Sequence, residues 1–266
     1  MRTLRLMPKG GSATQPAVAA VALLGVLLVL TGCGSKVDAK KPSAAVEVPL
    51  NSQMETLEWR DPRCDAEQEC TSVVIQREVF TDQPALNEAV SAGLLEQLQG
   101  NGEAAGAGFE QLAKRFIAEA GEMSKQSAAR WQLDAKARKL ARHGNLVTIA
   151  VSSYRYSGGA HGMPATRWLN WDLAENRPVV LADILRPGAE EEFWTLAQAA
   201  HLEWQNAQNL DADFRENWPF ARTDDFRLTD KGMVLLYGVY TLGPYAMGEV
   251  ELTVPRDKLA PLLHQP

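Results

Sequence analysis

From residue 131 to residue 153 the hydrophobic pattern repeats every second position, and a single tight turn interrupts it. Trp131, Leu133, Ala135 and Ala137 alternate with polar neighbours, then His143-Gly144-Asn145 reverses the chain. Beyond the turn, Leu146, Thr148, Ala150 and Ser152 alternate with Val147, Ile149, Val151 and Ser153. A period of two places alternate side chains on opposite faces of a sheet, so this stretch predicts an antiparallel hairpin. A third strand is expected over 165–172, with a continuation over 178–181. Earlier, residues 54–59 and the β-branched run 72–80 read as strands. Pro84 opens a helix whose Leu86, Ala89, Val90, Leu94, Leu95 and Leu98 fall at helical spacing, ended by Gly100-Asn101-Gly102. A second helix is expected over 109–124, with a stripe of Leu112, Phe116, Ile117 and Ala120. A third covers 190–208, its three leading glutamates placed where the helix dipole favours acids. Strands near 226–228, 233–242 and 249–254 and a short helix after Pro255 complete the chain. The fold class expected is α+β, with largely antiparallel sheets packed against a few helices.

The N-terminus is of a different kind. Arg2, Arg5 and Lys9 precede an apolar run from Ala17 to Leu30 of about 14 residues, short of the roughly 20 that a spanning helix needs. A basic start, a short apolar middle and small residues at the end form a secretory signal. The ending Leu30-Thr31-Gly32-Cys33 resembles the lipobox of bacterial lipoproteins, which implies cleavage before Cys33 and lipid on its thiol. Gly34 follows where an aspartate would imply retention, so the resemblance implies the outer membrane, facing the periplasm. Residues 33–45 are small and polar and read as a tether. The domain organisation expected is therefore signal 1–32, tether 33–45, an N-terminal α+β part 46–142 and a C-terminal domain 143–266.

Loss of the signal removes three basic residues and no acid, so the formal charge moves from −6 to −9. Phosphate recognition needs a basic face, so nucleic acid is not an expected partner. Cys64 and Cys70 flank a five-residue segment without a nearby histidine and without C-x-x-C spacing. In an oxidising compartment the pair is expected to form a disulfide rather than a metal or redox site.

The densest signature is Tyr154-Arg155-Tyr156-Ser157-Gly158-Gly159-Ala160-His161-Gly162. Further on stand Asp225-Phe226-Arg227-Leu228-Thr229-Asp230-Lys231-Gly232 and Leu242-Gly243-Pro244-Tyr245-Ala246-Met247-Gly248. In this order the segments resemble the RsiV/PdaC-like extracytoplasmic family. That family contains membrane-anchored anti-sigma factors whose outer domain binds lysozyme, domains joined to polysaccharide deacetylases, and lipoproteins. The resemblance implies an α+β domain with helices packed on sheets and supplies no activity. The Cys33 lipobox stands where the anti-sigma members carry a cytoplasmic arm and a membrane helix, so direct sigma-factor control is not expected.

Catalytic and metal constellations are not expected. His143, His161, His201 and His264 lack metal spacing, and Ser157 is not in a G-x-S-x-G elbow. No cofactor is expected either. The binding loops expected are Tyr156, Ser157, Gly158, Gly159, His161 and Gly162 together with Pro244 and Tyr245. Tyr156 and Tyr245 read equally well as surface anchors and as residues packed beneath their loops. The expected function is a lipid-anchored, non-catalytic periplasmic binding domain for a lysozyme-like protein or a cell-wall glycan such as peptidoglycan. The alternatives are a cell-wall hydrolase centred on His161 and a structural envelope component.

Overall fold

The strand over 54–59, the β-branched run 72–80 and the period-two stretch after residue 131 build one sheet. In the computed structural model, which describes residues 47–65, 70–99, 108–124 and 130–264, six strands lie side by side in chain order. They are β1 (Ser52–Arg60), β2 (Ser72–Phe80), β3 (Gln132–His143), β4 (Leu146–Tyr156), β5 (Met163–Asp172) and β6 (Arg177–Pro178). The signal 1–32, Cys33 and the tether 33–45 lie outside the described residues. All neighbours pair antiparallel except β2 and β3, which run parallel. A parallel pair needs a long crossover. Helices α1 (Pro84–Gln99) and α2 (Phe109–Met123) provide it.

Leu86, Val90, Leu94 and Leu98 recur every four residues and share one face of α1. That face packs with α2 onto Val73, Ile75, Leu133, Ala135, Ala137, Val147, Ile149 and Val151. Each fully buried leucine stabilises this layer by about 1.5–3 kcal/mol. The β3–β4 register shifts between Lys139 and Ala141, and the extra residue, Leu140, is left exposed.

The chain then forms α3 (Leu181–Ile184), α4 (Glu190–Ala207) and α5 (Ala212–Asn217). A second antiparallel sheet follows, of β7 (Phe226–Thr229), β8 (Gly232–Tyr237) and β9 (Val250–Pro255), and then α6 (Arg256–Leu259). Phe193, Trp194 and Ala197 of α4 cover Met233, Leu235 and Tyr237. On the other face of β8, Val234 and Leu236 meet Trp168 and Ala150 of the larger sheet. All six residues of β8 are thereby buried. A polar bond pins the sheets together: Asn170, which accepts from Thr148 Oγ1 at 2.6 Å within the larger sheet, donates Nδ2 to the Phe226 carbonyl of β7 at 2.8 Å.

The fold is α+β, with two mostly antiparallel sheets and helices on their outer faces. Several elements differ from the sequence reading. Of residues 178–181 only Pro178 and the Val179 N–H continue the meander. The β6 pairing stops at Pro178, and Asp183 accepts the Val180 N–H at 2.8 Å to start α3. The strand expected over 233–242 ends at Tyr237, because Gly238 to Thr241 turn away. Helix α5, unforeseen, is capped by Asp211, whose carboxylate accepts the Phe214 N–H. Residue 143 ends β3, which pairs along its length with β4, and the described residues from 47 to 264 form one compact unit. Cys64 and Cys70 are joined by a disulfide in the β1–β2 connection. Among the described residues no helix is long and apolar enough to cross a membrane.

Candidate functional site

The glycine-rich loop joins β4 to β5. Gly158 and Gly159 have φ of 94° and 97°, a region glycine enters without steric cost. Tyr156 donates its hydroxyl to the Gly159 carbonyl at 3.3 Å and closes the loop. Gly162 is buried against the ring of Tyr154, and a Cβ there would lie 2.3 Å from the ring. Tyr154 therefore packs beneath the loop, while Ser157 and His161 are exposed.

The second loop leaves β8 at Tyr237. Tyr240 adopts φ of 64° and is 47% exposed, an uncommon pairing of a bulky side chain with left-handed backbone. Leu242 is fully buried and anchors the loop. Pro244 then leads into a 3-10 turn over Tyr245–Met247, closed by Met247 N–H to the Pro244 carbonyl at 2.9 Å.

The two loops meet. Tyr245 donates its hydroxyl to the Gly162 carbonyl at 2.8 Å. The His161 ring stacks on the Tyr245 ring with centroids 3.8 Å apart and planes 22° apart. Tyr240 joins them, its centroid 5.8 Å from that of Tyr245. His161 Nδ1 lies 3.0 Å from the Gly162 carbonyl, so Nδ1 carries a hydrogen and donates. In that tautomer Nε2 is left as an acceptor. The His161 ring is thus positioned by a carbonyl and an aromatic face.

Beside the stack runs an open groove of about 520 Å³, bordered by Met163, Pro164, Arg167, Arg222, Asp224 and Tyr240 among others. Met163 and Tyr240 are two of the large apolar side chains left exposed by the fold. At its far end Asp225 is buried. It accepts the Trp168 N–H at 2.6 Å and faces Arg167 at 2.9 Å. Burial pushes its carboxyl above the ordinary value of 3.8, while the Trp168 N–H and Arg167 pull it back.

The other histidines lie elsewhere. His143 ends β3, and the His264 N–H donates to the Ile184 carbonyl. His201 is buried on α4 between Trp204 and Phe220, and burial holds its pKa below 6.5. Among the described residues no cluster of three or more His, Cys, Asp or Glu is placed to hold a metal. Trp168, Trp171 and Trp194 are core residues. Tyr240, Met163 and Arg167 were not picked out by the sequence. For Tyr240 the available signal was Gly238, which ends the strand that 233–242 was taken to form.

Comparison with known proteins gives two adjacent family matches. The model described as Deacetylase PdaC matches residues 64–164, and the one described as a protein of unknown function (DUF3298) matches residues 182–257. The glycine loop lies in the first stretch and Pro244–Gly248 in the second. A solved DUF3298 family protein from Pseudomonas aeruginosa PAO1 is 32% identical, with a TM-score of 0.71, over 82% of this chain and 96% of that one. A DUF3298 family member from Bacteroides fragilis NCTC 9343 shares the fold at 21% identity, with a TM-score of 0.61, over 80% and 94% of the two chains. No curated protein matches.

Proposed function

The chain belongs to the DUF3298 family, and on that premise we propose that it is a non-catalytic binding domain of the bacterial envelope whose ligand is a cell-wall glycan. The carrying observation is the stack of His161, Tyr245 and Tyr240 at the meeting of two loops, with an open groove beside it. A sugar ring presents a face of C–H groups that suits an aromatic ring's negative face. Its hydroxyls find His161 Nε2 and the tyrosine hydroxyls around the stack. The site is preformed, because Tyr245 is fixed by Gly162 and Gly162 by Tyr154, so little ordering entropy is lost on binding.

The signal-like pattern over 1–32 and the lipobox-like ending at Cys33 support a lipid anchor on Cys33 and placement at the outer membrane. Incorporation of labelled palmitate, abolished by Cys33→Ala, tests it.

Calorimetry of the full-length protein against N-acetylglucosamine oligomers and muropeptides tests the ligand. Tyr245→Ala should weaken glycan binding about tenfold or more, in the range of an interface anchor, with the fold intact by circular dichroism. The formal charge of −9 after signal removal favours a second reading, a cationic lysozyme-like protein as ligand. Tight lysozyme binding with no glycan binding would replace the first reading with this one.

A further inference from the structure

Arg167 stands apart from the other arginines near the site. Arg222 gives both its hydrogen bonds to Glu191, at 3.0 Å, and lies over the Trp194 ring. Arg227 is bonded to Glu251 at 2.8 Å and lies over Trp168. Arg167 is held only at its back. Its Nε reaches both oxygens of Asp225, at 3.1 and 2.9 Å. Asp225 is in turn fixed by the Trp168 N–H. The two terminal nitrogens of Arg167 make no hydrogen bond among the described residues, and the side chain is 63% exposed. It borders both the 520 Å³ groove and a second hollow of about 440 Å³ beside Gln97 and Trp168.

We infer that Arg167 is the carboxylate-recognition residue of this site, and that the glycan taken by the ring stack carries an acidic group. The inference rests on the glycan reading above. A guanidinium anchored through Nε presents its outer edge as a fixed fork, the geometry that matches a carboxylate with two parallel hydrogen bonds. The anchoring removes the rotamer entropy that a free arginine would lose on binding. The charges on the groove, Arg167 and Arg222 against Asp224 and Asp225, cancel. Selectivity therefore comes from the directed donors and not from a net field.

The spacing also limits the ligand. Arg167 lies on β5 five residues beyond Gly162, about 16 Å of backbone at the rise of a strand, so the acid sits away from the stacked ring, as on a glycan bearing a peptide stem.

The test is calorimetry of the full-length protein against one disaccharide-peptide muropeptide, with its stem carboxylates either free or amidated. The wild type should prefer the free acid about tenfold, the scale of a charge-assisted pair. Arg167→Lys keeps the charge and loses the fork; the preference should fall below about twofold with the melting temperature unchanged. Arg167→Gln leaves Asp225 buried without its partner, so the paired variant Arg167→Gln/Asp225→Asn is the second probe and should also show no preference. A wild type without preference, or an Arg167→Lys variant that keeps it, overturns the inference. Failure of the glycan reading shows separately: the amidated muropeptide would bind equally to wild type and Tyr245→Ala. Binding of neither ligand overturns both.

Discussion

The two sheets of this protein are stabilised in different ways. The six-stranded sheet is buried on the face under α1 and α2, and its edge strand β1 alternates between half-buried and exposed residues. The three-stranded sheet is half as wide, yet β8 is buried on both faces, by α4 on one side and by Trp168 on the other. Beside the larger sheet, just past β1, the half-buried Asp61 has its carboxyl held low by the Arg63 guanidinium. The smaller layer buries His201 and Tyr237, and burial pushes the Tyr237 hydroxyl upward. A narrow sheet can thus hold the deepest strand when both neighbours are apolar, and polar groups are trapped with it.

The sharpest way to break this contrast is at β8. Leu235→Ala should cost about 2–5 kcal/mol in urea unfolding, the range for a buried leucine. Leu57→Ala in half-buried β1 should cost about 1 kcal/mol. Equal losses would refute the difference in depth. Next in size is Gly162→Ala, which forces the Tyr154 ring aside and should cost about 1–3 kcal/mol. Gly144→Ala, with φ of 57° and open space around it, should cost about 1 kcal/mol.

The buried groups of the smaller layer predict a pH signature. The folded pKa of His201 is depressed, so the unfolded chain takes up its proton first as pH falls below about 6.5. The stability due to the neutral ring is present above that value and is lost as pH falls towards the folded pKa. Asp225 acts with the opposite sign. Its folded pKa is raised, so stability recovers as pH falls from that value towards 3.8. Melting curves should show the first loss in the wild type and not in His201→Phe. The smallest effect should come from Tyr240→Gly, which relieves left-handed backbone and should stabilise by about 0.5–1 kcal/mol while weakening glycan binding.

What the sequence revealed was local. The four-residue spacing of Leu86, Val90, Leu94 and Leu98 and the turn at Gly144 defined their elements, because helix and hairpin periodicities are short-range. Leu242 reads as the end of a strand because it is apolar like the residues of β8, although it anchors a loop. Both loops of the site were visible through their glycines, prolines and tyrosines. Their meeting was not, since the bond from Tyr245 to Gly162 spans 83 positions. Tyr240 and Arg167 escaped notice for related reasons. One depends on the sign of a backbone angle, the other on a carboxylate 58 positions away.

The Tyr245–Gly162 bond also has a thermodynamic consequence. It fastens the larger sheet's loop to the smaller sheet's loop, so neither layer alone possesses the ring stack. A ligand seated there binds only when both layers are folded and docked. Its binding free energy is added to the cooperativity between them, and not to either layer separately. Saturating ligand should therefore merge any separate unfolding steps into one, making this surface contact a coupler of the whole molecule's melting.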